Sequence, residues 1–377
     1  MKVLHVITDL NQGGAETVLY RLVVASMGKT EHVVVSLTDE GVYGPLFREL
    51  GVAIHVLGFP RGRVTLMGLT RLRSLIAGNK PDVVQTWMYH ADLIGGLMAR
   101  LTGIRAICWG IRNSCLNSPT QSKSSRYTAY LCSWLSSWVP AAIVSCSKEA
   151  AREHIKFGYQ ANKFAVIPNG YDLSRFTPQP HVGKILRGEW GVDTQLPVLG
   201  MVARWHPQKD HANLLAALSI LAKDGWDFRC VLAGSGMKPS NASLSQLISK
   251  SSLQDKVILL GPRERIPDVM NALDIHVLSS VGEGFPNVVA EAMACGTPCV
   301  VTDVGDAALI VAATGWVAPP GDPYALAGCI EQAMLAIRSP RWEKISGACR
   351  QRIVECFGID RMVAAYEDIW CKCLASK

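Results

Sequence analysis

Short apolar runs rich in β-branched residues recur along this chain, and the stretches between them are long enough to be helices. Lys2 to Thr8, His32 to Leu37, Ala53 to Leu57, Val83 to Thr86, Ala106 to Trp109, Ala142 to Cys146 and Ala165 to Ile167 form a first set. Val198 to Ala203, Phe228 to Ala233, Val257 to Leu260, Ile275 to Leu278 and Pro298 to Thr302 form a second. A strand that is apolar on both faces needs cover on both, and a connection between parallel strands needs a dozen or more residues. Strand and helix patterns alternating in this way predict an α/β fold built on parallel sheets. In such folds ligands bind beyond the carboxyl ends of the strands, so the residues that follow each run carry the functional argument.

At 377 residues the chain is too long for one typical domain, and its 49% hydrophobic content is ample for two cores. Pro178 to Pro197 changes composition to Pro, Gly and charge without a clear period, which places an interdomain linker over 186–197. A first domain of 1–185 and a second beginning at 198 follow. The early apolar run soon meets Asp9, Asn11, Gln12 and Glu16, which reads as a strand and turn rather than a signal peptide. No stretch approaches about 18 uninterrupted apolar residues, so a spanning helix is not expected. The 12 Cys are scattered, many in apolar runs such as those of Cys146, Cys230 and Cys299, without paired Cys-x-x-Cys units for zinc. Reduced, buried thiols in the cytosol are the simplest account. Cys371-x-Cys373 reads as incidental.

Charge is unevenly placed: residues 1–190 hold 21 Lys and Arg against 12 Asp and Glu, whereas residues 191–377 hold 17 against 19. Ten of the cations lie from Arg61 to Arg126, where Asp82 and Asp92 are the only acids. Thr65 to Ala77 mixes Leu66, Met67, Leu69 and Leu72 with Arg71 and Arg73, and Tyr127 to Val139 carries Tyr127, Tyr130, Trp134 and Trp138. Each stretch alone reads as a domain helix with its apolar face inward; together they suit an anionic membrane interface.

Four groups follow strand ends. After the first run, Asn11-Gln12-Gly13-Gly14-Ala15-Glu16 turns into a helix, and its glycines let the backbone approach a ligand while leaving amides for phosphate. After Val83 to Thr86 comes Trp87-Met88-Tyr89-His90-Ala91-Asp92, with His90 at the strand end. After Val198 to Ala203, Arg204 and Lys209 can grip a diphosphate, one by its planar fork and one as a point charge. After Ile275 to Leu278, Val281 to Gly305 holds a turn of Gly282, Glu283, Gly284, Phe285 and Pro286, then a helix from Asn287 to Ala294 whose first amides are free for an anion. Glu283 and Glu291 stand eight residues apart, about two helical turns, with no other charge between them. A carboxylate can accept two hydrogen bonds and so suits vicinal sugar hydroxyls. The plainer readings are solvated charges, a tight Gly-Gly turn and a structural His.

This set resembles the retaining nucleotide-sugar glycosyltransferases of family 4, with their GT-B fold of two Rossmann-like domains facing across a cleft. Glu283 and Glu291 match the family's Glu-x7-Glu signature. Gly13 to Glu16 match its Gly-Gly-Ala-Glu loop, and Pro168-Asn169-Gly170-Tyr171-Asp172 its Pro-Asn-Gly-x-Asp turn. Ala203 to Asp210 resembles the Gly-Arg-x4-Lys-Gly element, with Ala203 and Asp210 in place of its glycines.

The resemblance implies sugar transfer from a nucleoside diphosphate donor, UDP-linked by preference, with no cofactor or metal. Catalytic residues are expected to be Glu283, His90, Arg204 and Lys209, and donor contacts Gly13, Gly14, Arg204, Lys209, Gly284, Phe285, Pro286, Asn287 and Glu291. Glu291 would take the ribose, and Glu283 and His90 the transferred sugar. The domain at 198–358 would hold the donor, and a last helix within 359–377 would cross back to the first domain. Expected partners are the donor, a lipid-linked saccharide acceptor for surface polysaccharide and an anionic membrane surface, with no nucleic acid; the setting is the cytoplasmic face of the membrane. The rivals are a GT-B nucleotide-sugar epimerase and a non-catalytic nucleotide or polyanion binder.

Overall fold

The computed structural model describes residues 1–60, 63–113, 122–193 and 195–375. The chain divides into two compact units, Met1–Gly170 with Ile359–Lys377, and Tyr171–Gly358. In the first, strands β1 (Lys2–Ile7), β2 (Glu31–Ser36), β3 (Ala53–Val56), β4 (Val83–Trp87), β5 (Ile107–Ile111), β6 (Ala142–Ser145) and β7 (Phe164–Val166) make one parallel sheet in the order β3-β2-β1-β4-β5-β6-β7. Its helices are α1 (Gly14–Ser26), α2 (Tyr43–Glu49), α3 (Leu66–Asn79), α4 (Tyr89–Leu101), α5 (Lys123–Leu135) and α6 (Lys148–Lys156). The second unit begins with helix α7 (Pro180–Glu189). Its parallel sheet runs β10-β9-β8-β11-β12-β13, from β8 (Val198–Val202), β9 (Arg229–Ala233), β10 (Val257–Gly261), β11 (Ile275–Leu278), β12 (Cys299–Thr302) and β13 (Trp316–Ala318). Helices α8 (His211–Lys223), α9 (Ala242–Lys250), α10 (Ile266–Asn271), α11 (Asn287–Ala294), α12 (Ala307–Val311), α13 (Pro323–Ile337) and α14 (Trp342–Phe357) complete it. The final helix, α15 (Ile359–Ala375), belongs to the first unit.

Both sheets are buried on both faces, as their continuous apolar runs require. In the first unit one core layer joins α1, Phe47 of α2 and Met362, Val363, Tyr366 and Trp370 of α15 to one face of the sheet. A second layer packs Leu72 and Ile76 of α3, Ala91 and Ala99 of α4 and Cys132 of α5 on the other. A buried polar chain crosses the first layer: Trp87 donates to His5 Nδ1 at 3.2 Å, His5 Nε2 pairs with His32 Nδ1 at 2.9 Å, and His32 Nε2 meets Ser26 Oγ at 2.8 Å. Burial lowers the pKa of both histidines, so they remain neutral.

The expected linker is corrected here. The chain passes between units at Gly170 and Tyr171, and residues placed in the linker instead form the end of α7. Pro180 lies in the first turn, where its missing N–H costs nothing, and Gly183 packs against the backbone of Asn271, so residues that look like breakers serve a close-packed helix. Arg187 fastens it by an ion pair with Asp274 at 2.8 Å and a hydrogen bond to Ala272 O. The Pro168-Asn169-Gly170 turn stands where the first unit closes.

Trp370 is fully buried and donates to Gln85 Oε1 at 3.1 Å. Trp370→Ala removes a large core side chain and orphans that acceptor, and is expected to cost about 3–5 kcal/mol. Urea titration of the first unit's unfolding checks this; an unmoved midpoint would show that α15 is dispensable to that core.

Candidate active site

In each sheet the strand order reverses once, between β1 and β4 in the first unit and between β8 and β11 in the second. Crossovers leave to opposite sides at such a point, which opens a crevice at the carboxyl ends of the two strands. All four motif groups lie in the loops that follow these four strands.

In the second unit Lys209 Nζ pairs with Glu283 Oε1 at 2.5 Å, and Ser280 Oγ donates to the same oxygen at 2.7 Å. The loops after β8 and β11 are joined further by Val281 N to Gln208 O at 2.9 Å and Gln208 Nε2 to Gly282 O at 2.5 Å. Ser279 Oγ donates to Lys209 O at 2.9 Å and Asp210 O at 3.0 Å, which fixes the backbone behind the lysine. Asp210 has φ 46° and accepts from Asn213 N at 3.1 Å as the cap of α8. Asp is among the residues that tolerate this left-handed conformation, which explains why it replaces a glycine. Arg204 is exposed, with no hydrogen bond or ion pair among the described residues. His206, His211 and His276 surround this loop with their pKa values lowered, foremost by burial; His276, fully buried on β11, falls to about 3, with the Lys209 charge adding to the effect.

Glu283 lies in the turn before α11, so its separation from Glu291 is not two turns of one helix, as the spacing suggested. Glu291 is one turn into α11 and 8% exposed. Pro286 caps α11 without a side-chain hydrogen bond, Asn287 Oδ1 accepts from Tyr171 OH at 2.7 Å, and Phe285 packs edge-on against Phe357. Gly305 has φ 56°, and a Cβ there would strike the carbonyls of Glu283 and Gly284. The turn that presents Glu283 therefore depends on a glycine 22 positions later in the chain.

In the first unit Gly13 is the N-cap of α1, Gly14 its first residue, and no side chain of the cap itself closes the helix. Across the reversal His90 opens α4, half-buried, with Nε2 3.4 Å from Ser124 Oγ; burial lowers its pKa. Before it Met88 has φ 71°, a conformation that costs of order 1–3 kcal/mol for a residue with a Cβ. Asp92 supports this turn. Its N–H bonds Met88 O at 2.8 Å, and its Oδ1 accepts from Thr86 Oγ1 at 2.5 Å and Gly110 N at 3.0 Å. Arg112 bonds Asn169 Oδ1 at 2.7 Å and Tyr366 OH, and stacks on Trp87. Gly13, Gly14 and His90 thus share one switch point, and Arg204, Lys209 and Glu283 to Glu291 share the other. The sequence reading passed over Asp92, Arg112 and His276; only their positions on or just after strands could have flagged them. Among the described residues no group of acids, His and Cys could hold a metal ion.

Two Rossmann-like units with cationic and carboxylate groups at their switch points define a GT-B-type glycosyltransferase. Residues 12–175 match the model of Glycosyltransferase Family 4, and residues 196–335 that of Glycosyl transferases group 1. The chain belongs to glycosyltransferase family 4. It is 30% identical over 312 residues to the glycosyltransferase EpsF of Bacillus subtilis, covering 80% of this chain and 79% of that one. It is 26% identical over 321 residues to the UDP-Gal:alpha-D-GlcNAc-diphosphoundecaprenol alpha-1,3-galactosyltransferase of Escherichia coli, covering 83% and 81%. Among solved structures, Anabaena HepE in complex with UDP superposes with a TM-score of 0.86 at 21% identity over 99% and 100% of the two chains. WaaG, from lipopolysaccharide biosynthesis, superposes at 0.74 and 16% identity over 97% and 99%.

Asp92 is fully buried with Oδ2 lacking any partner, and burial raises its pKa to about 8. It is therefore a neutral acid at pH 7. A raised folded-state value means that its contribution to stability is complete below about pH 4 and is lost as pH rises to about 8. Asp92→Asn should keep the fold while flattening the fall in melting temperature across that window. Parallel wild-type and variant curves would sink this assignment.

Proposed function

We propose that this glycosyltransferase moves a hexose from a UDP-sugar to a lipid-linked saccharide, with retention at the anomeric carbon, in the building of a surface polysaccharide such as O-antigen, capsule or exopolysaccharide. The observation that carries the reading is the Lys209–Glu283 pair at the second unit's switch point. Without ligand the carboxylate neutralises a half-buried ammonium. A diphosphate competes for that ammonium, and once Lys209 turns to phosphate the Glu283 carboxylate, still held by Ser280, is left to accept from sugar hydroxyls. Arg204 adds a second cation with no other engagement among the described residues. Both cations act where charge grows as the glycosidic bond breaks, so they stabilise the leaving group more than the bound donor. Glu291 takes the ribose, the α11 amides and the Gly13–Gly14 amides the diphosphate, and His90 the transferred sugar. Two side-chain cations leave no charge for a metal to balance. The complexes of HepE with UDP and UDP-glucose support the nucleotide, and the diphosphoundecaprenol acceptor in the name of the E. coli relative supports the acceptor class.

The reading extends to peripheral attachment at the cytoplasmic face of a membrane. No helix among the described residues is long and apolar enough to cross one. Tyr127, Tyr130, Trp134 and Trp138 are each more than half exposed, as are Leu66, Met67 and Leu101. They lie on or beside α3, α4 and α5, successive helices of one sheet face. Arg63, Arg71, Arg73, Lys123 and Arg126 are exposed on the same elements, while Arg61 lies outside the described residues. Basic and aromatic groups side by side suit an anionic lipid interface, at roughly 1 kcal/mol per cation near the surface.

Assays that follow UDP release with UDP-sugars and a lipid-linked acceptor test the activity. Lys209→Ala and Arg204→Ala are each expected to lose on the order of a hundredfold in kcat. Glu291→Gln should chiefly weaken UDP binding, Glu283→Gln should chiefly slow turnover, and excess EDTA should leave the rate intact. Near wild-type turnover in both alanine variants would overturn the site. Sedimentation with vesicles tests the membrane: binding should need anionic lipid, fall as salt rises, and weaken in Trp134→Ala/Trp138→Ala. Equal binding to neutral vesicles would count against it.

A further inference from the structure

Glu16 is the third residue of α1 and is 5% exposed. The first amides of a helix have no internal partner, and a carboxylate three residues in can fold back to cap them. Glu16 does so: its carboxylate bonds its own backbone N–H and lies so close over Gly13 that a Cβ at that position would collide with Oε2. The third amide of the helix is thus already occupied by a carboxylate, which also covers Gly13 beside the amides offered to a diphosphate.

The surroundings keep it there. Thr17, the next residue, is tied to Gly13 O by both its amide, at 3.1 Å, and its hydroxyl, at 2.7 Å, so the start of the helix is held from the other side. Thr17 Oγ1 also meets Tyr43 OH of α2 at 2.6 Å. The charged groups acting on Glu16 are Asp9, just after β1, and Arg112, just after β5. Arg112 is committed to Asn169, to Tyr366 of α15 and to the face of Trp87. It bonds none of the Glu16 oxygens, so among the described residues no cation compensates the buried carboxylate by direct contact.

We propose that Glu16 is a built-in occupant of the diphosphate position on α1, and that nucleotide binding there proceeds with uptake of one proton by this carboxyl. This rests on the reading that the Gly13–Gly14 amides receive the diphosphate. An arriving diphosphate and an ionised Glu16 would stand as like charges around one helix start. The carboxylate takes a proton from solvent and becomes a neutral acid, which can donate to a phosphate oxygen instead of repelling it. Burial first, with Asp9 adding to it, already raises the Glu16 pKa to about 7 against the opposing pull of Arg112, so the proton is available near neutrality. Bound UDP favours the protonated form, and affinity therefore falls as pH rises above that value.

Calorimetric titration of the full-length protein with UDP, from pH 7 to 8.5 in two buffers of different ionisation heat, tests this. The range lies above the terminal phosphate pKa of about 6, so UDP keeps its charge throughout. Wild type should take up close to one proton at pH 8, with Kd rising toward tenfold per pH unit, the limit for one linked proton. Glu16→Gln should bind UDP with little dependence on pH and more tightly than wild type at pH 8.5, with an unchanged melting temperature. Wild-type binding without proton uptake, or a Glu16→Gln variant that keeps the wild-type slope, would overturn the proposal while leaving the nucleotide reading intact. Failure of UDP to bind either protein would sink the nucleotide reading itself.

Discussion

An open parallel sheet covered on both faces has one place left for chemistry, the carboxyl edge, and only where neighbouring crossovers part company is that edge unobstructed. Each unit of this protein has one such position, and each is furnished from loops that the buried strands hold in place. The strands supply rigidity and almost nothing else. Val198 to Val202 and Ile275 to Leu278 are buried along their whole length, so the loops that follow start from fixed points.

What is built on those points in each unit is a charged group that already has an engagement within its own unit. Glu283 holds Lys209 in one unit, and in the other the amino end of α1 is covered by its own glutamate. Ionic groups cannot stay half-buried and uncompensated without cost, so each of these loops keeps a partner for its charge. Neutral histidines around Lys209 serve the same end, since His276 at about 3 adds no positive charge to the pocket.

Much of this was legible in the sequence because the strands are continuous apolar runs, whose period needs no tertiary context. Twelve of the 13 strands among the described residues were anticipated within a few residues; β13, three residues at a sheet edge, was not. Helix α7 was hidden by Pro180 and Gly183, which break helices in general and suit this one. The glycine replacements at Ala203 and Asp210 could be placed but not explained until the φ of Asp210 was seen. The Glu283 turn depends on Gly305, and the His90 turn on Asp92 reaching back to Thr86 and across to Gly110, contacts between separate elements that no local pattern encodes. The glycines placed Glu283 in the turn and Glu291 on the helix, as they stand, and only the two-turn separation read from their spacing failed.

The second unit is inserted, in chain order, into the first: α15 comes last and lays Tyr366 and Trp370 into a core otherwise made from residues before Gly170. During synthesis the amino-terminal sheet therefore emerges with one face lacking part of its cover. It must wait through the 188 residues of Tyr171–Gly358 before the helix that completes it is made. At roughly 5–20 residues per second that interval is on the order of ten seconds or more. The second unit, whose sequence is continuous, can finish first. A chain interrupted shortly before its end would thus have its later half intact and its earlier half incomplete, the reverse of the usual order of damage.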